Sequence, residues 1–167
     1  MRGASSRYGS SVSFGPGPLS PALKALIAAN VVVFVVQLVA PWLTWSLGMM
    51  PAAVIGQLRL WQLVTYMFVH AGLFHILFNM LTLWMFGSEL ERAWGTRRFL
   101  VYYFLTGIGA GLCVVLASPS SLVATLGASG AIYGLLLAFG MMYPDRQILF
   151  FMIFPIRSEE HTSELQS

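Results

Sequence analysis

Residues 73–117 read LFHILFNMLTLWMFGSELERAWGTRRFLVYYFLTGIGAGLCVVLA, and this stretch decides the fold. It holds two apolar runs, Leu73 to Leu90 and Phe99 to Ala117, each close to the ~20 helical residues that cross a hydrocarbon core of about 30 Å. Charged side chains crowd the junction, where Glu91, Arg92, Arg97 and Arg98 fall within eight residues. Two more runs of that length flank the pair, Ala22 to Ala40 before it and Leu126 to Tyr143 after it. Composition agrees: 57% of the 167 residues are apolar and 9% charged, against about 25% charged in a soluble domain. Residues 8–156 therefore have too few charges to face water, which excludes a soluble domain, a disordered chain, a disulfide-framed secreted domain and a coiled coil. The expected fold is all-α and polytopic, with four complete spans and a truncated fifth.

The remaining segments set the boundaries. Residues 1–20, rich in Ser and Gly with Pro16 and Pro18, read as a flexible tail. Residues 21–156 form the membrane domain. Pro41 to Gly72 is apolar but broken by Pro41, Gly48, Pro51 and Gly56, and carries Trp42, Trp45, Trp61 and Tyr66; it is predicted to lie in or near the headgroup layer. Ile148 to Ile156 opens a fifth run of only nine residues, about 14 Å of helix. The composition then changes to RSEEHTSELQS over residues 157–167. A helix cannot end at mid-membrane with its carbonyls unsatisfied, so residues 157–167 are expected to be non-native and the natural chain to continue past Ile156.

Charge supplies orientation. Arg2, Arg7 and Lys24 precede the first run, Arg92, Arg97 and Arg98 separate the second from the third, and Arg146 follows the fourth. The opposite loops hold only Arg59. The positive-inside rule places the N-terminus in the cytoplasm, and the short loops suggest a bacterial plasma membrane. No Lys/Arg run long enough to grip phosphates exists, so no nucleic-acid partner is expected; the lipid bilayer is the surroundings this composition requires. Cys113 is a single cysteine in an apolar run and forms no metal framework. No HExxH zinc motif is present, and neither a cofactor nor a metal is expected.

Few side chains remain for chemistry. His75 and Asn79 are four residues apart in HILFN and so share a helix face, where polar groups must be satisfied inside the bundle. Taken alone, they fit a helix–helix hydrogen bond as well as a site. Ser129 lies in GASGAIYG, where Gly130 and Gly134 form a face open to a close helix neighbour, and a Ser among glycines is compatible with packing alone. Ala131 stands where a soluble-hydrolase elbow requires Gly, which excludes that class. Asn30 and Gln37, seven apart on the first span, are predicted to pack inward. Glu89, Glu91, Arg92, Arg97 and Arg98 form an inner-surface cluster that caps the second and third spans.

The combination is more specific than its parts. HILFN, then Gly87, Glu91 and Gly95 at four-residue spacing, an uncharged outer loop, GASGAIYG, and WQLVTYMFVHAGLFH ahead of the second span together resemble the rhomboid family of intramembrane serine proteases, over about Ala22 to Ile156. The resemblance implies a rhomboid-like helical bundle in which Ser129 is the nucleophile. His75 and Asn79 would donate to the oxyanion with the Ser129 N–H. Gly127 and Gly130 would flank the serine, Tyr133 would pack beside the catalytic histidine, and Trp61 would anchor the first loop. It further implies a Ser–His dyad, with the base histidine on a sixth helix beyond this chain, and transmembrane proteins as substrates. Two departures stand out. Gln62 follows Trp61 where many members carry Arg, and none of His70, His75 and His161 fits the sixth-helix base. The chain as it stands is therefore expected to be inactive and its parent a protease. The alternative is a rhomboid-like pseudoprotease that binds transmembrane clients without cleavage; a small transporter subunit is a third reading, weakened by the lack of internal repeats.

Overall fold

The computed structural model describes residues 18–144. The chain up to residue 17, the fifth apolar run and the polar segment 157–167 lie outside these residues. Among them the chain is helical, the one strand-like feature being an antiparallel bridge between Met49 and Thr125. Three helices are long and apolar enough to cross a membrane: α1 (Pro21–Val39), α5 (Leu73–Trp94) and α6 (Thr96–Ala117). Between α1 and α5 lie three short helices, α2 (Trp42–Leu47), α3 (Pro51–Gly56) and α4 (Gln62–Thr65), followed by a 3₁₀ turn at Tyr66–Phe68. Helix α7 (Ser129–Met142) closes the described bundle and packs against both α5 and α6.

Local chemistry explains the boundaries. Pro21 opens α1, and the Ser20 hydroxyl caps it by accepting from the Leu23 N–H at 3.1 Å. Ser20 thus belongs to the helix start and not to the preceding tail. Helix α1 stops ahead of Pro41, which disfavours helical backbone in the residue before it. Gly95, at φ +79°, turns α5 directly into α6, a backbone conformation that side-chain-bearing residues resist.

Glu91 fastens this end. Its buried carboxylate accepts from the Ser20 hydroxyl at the start of α1 and from the Thr96 hydroxyl, 2.6 Å away, at the start of α6. The cluster read as a cap for the second and third spans therefore also holds the first. Lys24, Arg92, Arg97 and Arg98 consequently gather at one end of the bundle, with Arg92 paired to Glu89 at 2.5 Å.

The core runs between α1, α5, α6 and α7, around Leu23, Leu83, Leu90, Phe99, Tyr103 and Leu135. Phe86 of α5 meets Phe139 of α7 edge to face at 4.9 Å. The outer surface stays apolar, with Val31, Val32, Val35, Leu38, Val101 and Leu105 exposed. Lipid suits such a surface and water does not.

The fourth helix departs from the sequence reading. An 18-residue run was expected from Leu126, but α7 begins at Ser129 and has 14 residues, a rise of about 21 Å. Composition does not reveal this, because Leu126 and Ala128 are as apolar as the helix. The backbone does: Gly127 sits at φ +106° and gives its N–H to the Tyr66 carbonyl at 2.9 Å, outside any helical ladder.

Candidate active site

The site forms where the first loop, the start of α5 and the start of α7 meet. Gln62 organises the loop. It is fully buried; its Oε1 accepts from the Met50 N–H at 3.1 Å, and its Nε2 donates to the Trp45 and Ser46 carbonyls at 3.4 Å. The residue that departs from the family pattern therefore pins the loop from within. Trp61 gives its indole N–H to the Ser46 carbonyl at 3.1 Å while half its surface stays exposed. Thr65 adds a bond to the Leu47 carbonyl at 2.7 Å. The loop then grips the segment before α7 through paired Met49–Thr125 backbone bonds of 3.1 and 2.8 Å and the Tyr66–Gly127 bond. The Tyr66 hydroxyl reaches the Gly107 carbonyl of α6 at 2.6 Å. These bonds fix Gly127, two residues ahead of Ser129.

Gly127 is the meeting point. A Cβ on it would stand 2.6 Å from both Cε1 and Nε2 of His75 and 3.4 Å from Nδ2 of Asn79. Those two side chains, one turn apart on α5, thus converge on the backbone leading to Ser129. Asn79 is 7% exposed, and its Nδ2 has no hydrogen-bond partner among the described residues. A buried amide donor left unpaired carries a desolvation cost of about 1–3 kcal/mol. The first ladder bond of α7 runs from the Ile132 N–H to the Ala128 carbonyl, so the helix leaves the N–H groups of Ser129, Gly130 and Ala131 unused. The Asn79 amide and the His75 ring thus lie at the backbone two residues ahead of a helix start whose first N–H groups the ladder leaves unused, and neutral donors of this kind suit a negatively charged oxygen.

The orientation of His75 adds to this. The Ala71 N–H approaches its Nδ1 at 3.4 Å. A backbone N–H can only donate, so Nδ1 carries the lone pair and the neutral ring carries its proton on Nε2, the nitrogen facing Gly127. His70 packs edge to face on His75 with ring centroids 5.1 Å apart. His70 is 2% exposed, and burial first, then the neighbouring His75, push its pKa down to about 4 against the pull of the Phe68 carbonyl. His70 is therefore neutral at physiological pH.

The close neighbour that Gly130 and Gly134 were expected to admit is α6: a Cβ on Gly130 would lie 2.6 Å from the Ala110 Cβ, and one on Gly134 would lie 2.6 Å from the Thr106 Cβ. The absence of side chains at these two positions lets α6 approach through Ala110 and Thr106, while Met67 fills the corresponding gap at Gly107 on α6. Tyr133 was expected to pack beside a base histidine that lies outside the described residues. It is 74% exposed and continues from Ser129 into a stripe with Leu137 and Met141, which are also exposed. Sequence reasoning did place Asn30 and Gln37 inward, and both are buried. It missed the link from Gln37 to His70, whose only sequence signal was an amide inside a valine-rich run.

Comparison with known proteins bears on this arrangement. The rhomboid domain family profile matches residues 57–159, more than half of the chain. The chain is 37% identical over 91 residues to Rhomboid protease GluP of Bacillus subtilis (strain 168), covering 54% of this chain and 17% of that protein. It is 39% identical over 83 residues to RHOMBOID-like protein 1 of Arabidopsis thaliana, covering 50% and 21%. It is 36% identical over 90 residues to Rhomboid-like protease 3 of Toxoplasma gondii, covering 54% and 34%. The matches thus span from about a sixth to about a third of the length of these relatives. The chain belongs to the rhomboid family, a family of multi-pass, membrane-embedded proteins.

Proposed function

We propose that this chain carries the nucleophile and oxyanion half of an intramembrane serine endopeptidase. The observation that carries the reading is the buried, unpartnered Asn79 amide beside the His75 ring at Gly127. A protein that only binds transmembrane clients gains nothing from an unsatisfied donor aimed at a serine-bearing helix start.

In this mechanism the Ser129 hydroxyl attacks the scissile carbonyl and loses its proton to a histidine base. The base comes from a helix outside the described residues, packed on the exposed Tyr133 and Leu137 that continue the face of Ser129. The carbonyl oxygen becomes an oxyanion held by the Asn79 amide, the His75 Nε2–H and the Ser129 N–H. As the tetrahedral intermediate collapses, the C–N bond breaks and the protonated histidine gives its proton to the leaving amine; water, deprotonated by the same histidine, then hydrolyses the acyl-enzyme. Neutral donors suit a low-dielectric setting, where an unpaired charge is far more costly than an amide.

The short α7 supports access to water. As a fourth span that ends at the inner boundary, it falls about 9 Å short of a 30 Å core. Ser129 then lies below the outer surface, roofed by the first loop. The charged end with Lys24, Arg97 and Arg98 faces the cytoplasm. Substrates are single-span membrane proteins with small or helix-breaking residues near the cut, because a regular helix hides its carbonyls in its own ladder.

Asn79→Leu in the full-length protein, reconstituted with a single-span reporter, tests the reading. The substitution removes an orphan donor at nearly constant volume, so thermal stability holds or rises while kcat falls by about 10²- to 10³-fold. Unchanged cleavage in a folded Asn79→Leu protein would contradict the assignment.

A further inference from the structure

One planar group lies between α1 and the oxyanion donors, and its bonding is complete on both sides. The Gln37 side chain, buried on α1, clasps the backbone of His70, 33 residues later in the chain. Its Oε1 accepts from the His70 N–H at 3.0 Å, and its Nε2 donates to the His70 carbonyl at 3.3 Å and to the Thr44 hydroxyl at 3.1 Å. The His70 carbonyl belongs to the same peptide unit as the Ala71 N–H, which is the group that donates to His75 Nδ1. A peptide unit is rigid and planar, so fixing its carbonyl fixes the direction of its N–H. The N–H in turn dictates which nitrogen of His75 holds the proton.

We propose that Gln37 is a positioning residue of this site: by clasping the His70–Ala71 peptide it aims the Ala71 N–H at His75 Nδ1 and keeps the His75 proton on Nε2, facing Gly127. The mechanistic weight of this rests on the proteolytic reading of Ser129, whereas the structural link does not. The Ala71 bond supplies direction, and the His70 ring at 5.1 Å backs the imidazole from one side. Without the amide of Gln37, the 70–71 peptide loses the partners of its carbonyl and of the preceding N–H. The imidazole can then exchange tautomers, and in the Nδ1–H form the nitrogen facing the oxyanion is an acceptor that repels it. Gln37 itself touches no reacting atom.

The test uses ¹⁵N NMR of the full-length protein labelled at histidine ring nitrogens, in nanodiscs at about pH 8, where an ordinary imidazole is neutral. Protonated and bare ring nitrogens resonate far apart, so each tautomer is read directly. In the wild type, His75 is expected as a single Nε2–H tautomer. In Gln37→Met, which retains packing volume without the amide, the Nδ1–H form appears at a comparable population. In reporter cleavage by the same variant, kcat falls with the Nε2–H fraction, about twofold at equal populations, with KM unchanged, far less than the 10²- to 10³-fold loss of a whole donor. Gln37→Glu, which keeps an acceptor for the His70 N–H but loses the donor to its carbonyl, shifts the tautomer in the same direction.

A loss of activity with an unaltered His75 tautomer would mean that Gln37 only packs, and would overturn the proposal. A wild-type His75 protonated on Nδ1 overturns it without any variant, even where the variants do not fold. A tautomer shift in a protein whose Ser129 never reacts supports the link and removes the proteolytic reading instead.

Discussion

Gly127→Ala is the substitution whose consequence the structure defines most sharply. The new methyl carbon would lie 2.6 Å from Cε1 and Nε2 of His75, whereas carbon atoms rest at about 3.5–4.0 Å. The imidazole must therefore withdraw by about 1 Å, on the order of the misplacement that costs 10²-fold in rate. Stability falls for two separate reasons. A side chain at φ +106° costs about 1–3 kcal/mol, and overpacking against the ring adds about 1–3 kcal/mol. Gly134→Ala serves as the comparison. It clashes with Thr106 at 2.6 Å, on the α6 side of α7, and so destabilises without touching His75. Both variants are assayed in the full-length protein by thermal unfolding in detergent and by reporter cleavage normalised to folded protein. Gly127→Ala is expected to lose about 10²-fold in kcat per folded molecule, and Gly134→Ala to stay within a few-fold of wild type. Equal kcat for Gly127→Ala and wild type would refute the reasoning, because it would mean that the His75 ring position is irrelevant to the chemistry.

Other expectations follow from single bonds and single groups. Glu91→Gln leaves one oxygen and one N–H to face two hydroxyls, and Ser20 already accepts from Leu23; the loss is about 1–3 kcal/mol, read as a lower unfolding temperature, and an unchanged midpoint would show that the carboxylate does not fasten α1 to α6. His70 carries a pKa pushed down to about 4 in the folded protein, below the ~6.5 of an unfolded imidazole. The folded state therefore binds fewer protons between these values, so the contribution of His70 is complete above about pH 6.5 and is lost as pH falls towards 4. That share is on the order of 3 kcal/mol. His70→Asn is expected to flatten the acid limb of the stability profile, and an identical limb would contradict the assignment.

Much of the fold was legible in composition. The three long helices lie within a few residues of the apolar runs, because in lipid a helix satisfies every backbone polar group within its own segment. His75 and Asn79 share a face by helix geometry alone, and their convergence with the Ser129 segment follows the motif resemblance. What composition could not show is set by contacts between distant residues. The late start of α7 depends on the conformation of Gly127 and its bond to Tyr66, neither of which changes hydropathy. Gly130 and Gly134 announced a close neighbour without naming it, and α6 proved to be that neighbour, meeting them through Ala110 and Thr106. Gln62 read only as a departure at the position after Trp61, yet three backbone contacts show that a neutral amide pins the loop. Gln37 and His70 read as inward packing and as structure, since nothing in a linear sequence pairs residues 33 apart.

The central claim is that Ser129 is a nucleophile served by donors at Gly127, and covalent labelling tests it most directly. The full-length protein in nanodiscs is treated with a serine-directed fluorophosphonate, and the modified residue is mapped by mass spectrometry. The account expects one adduct on Ser129, absent in Ser129→Ala and formed about 10²- to 10³-fold more slowly in Asn79→Leu. A folded full-length protein that forms no adduct on Ser129, or labels equally fast without Asn79, would contradict it.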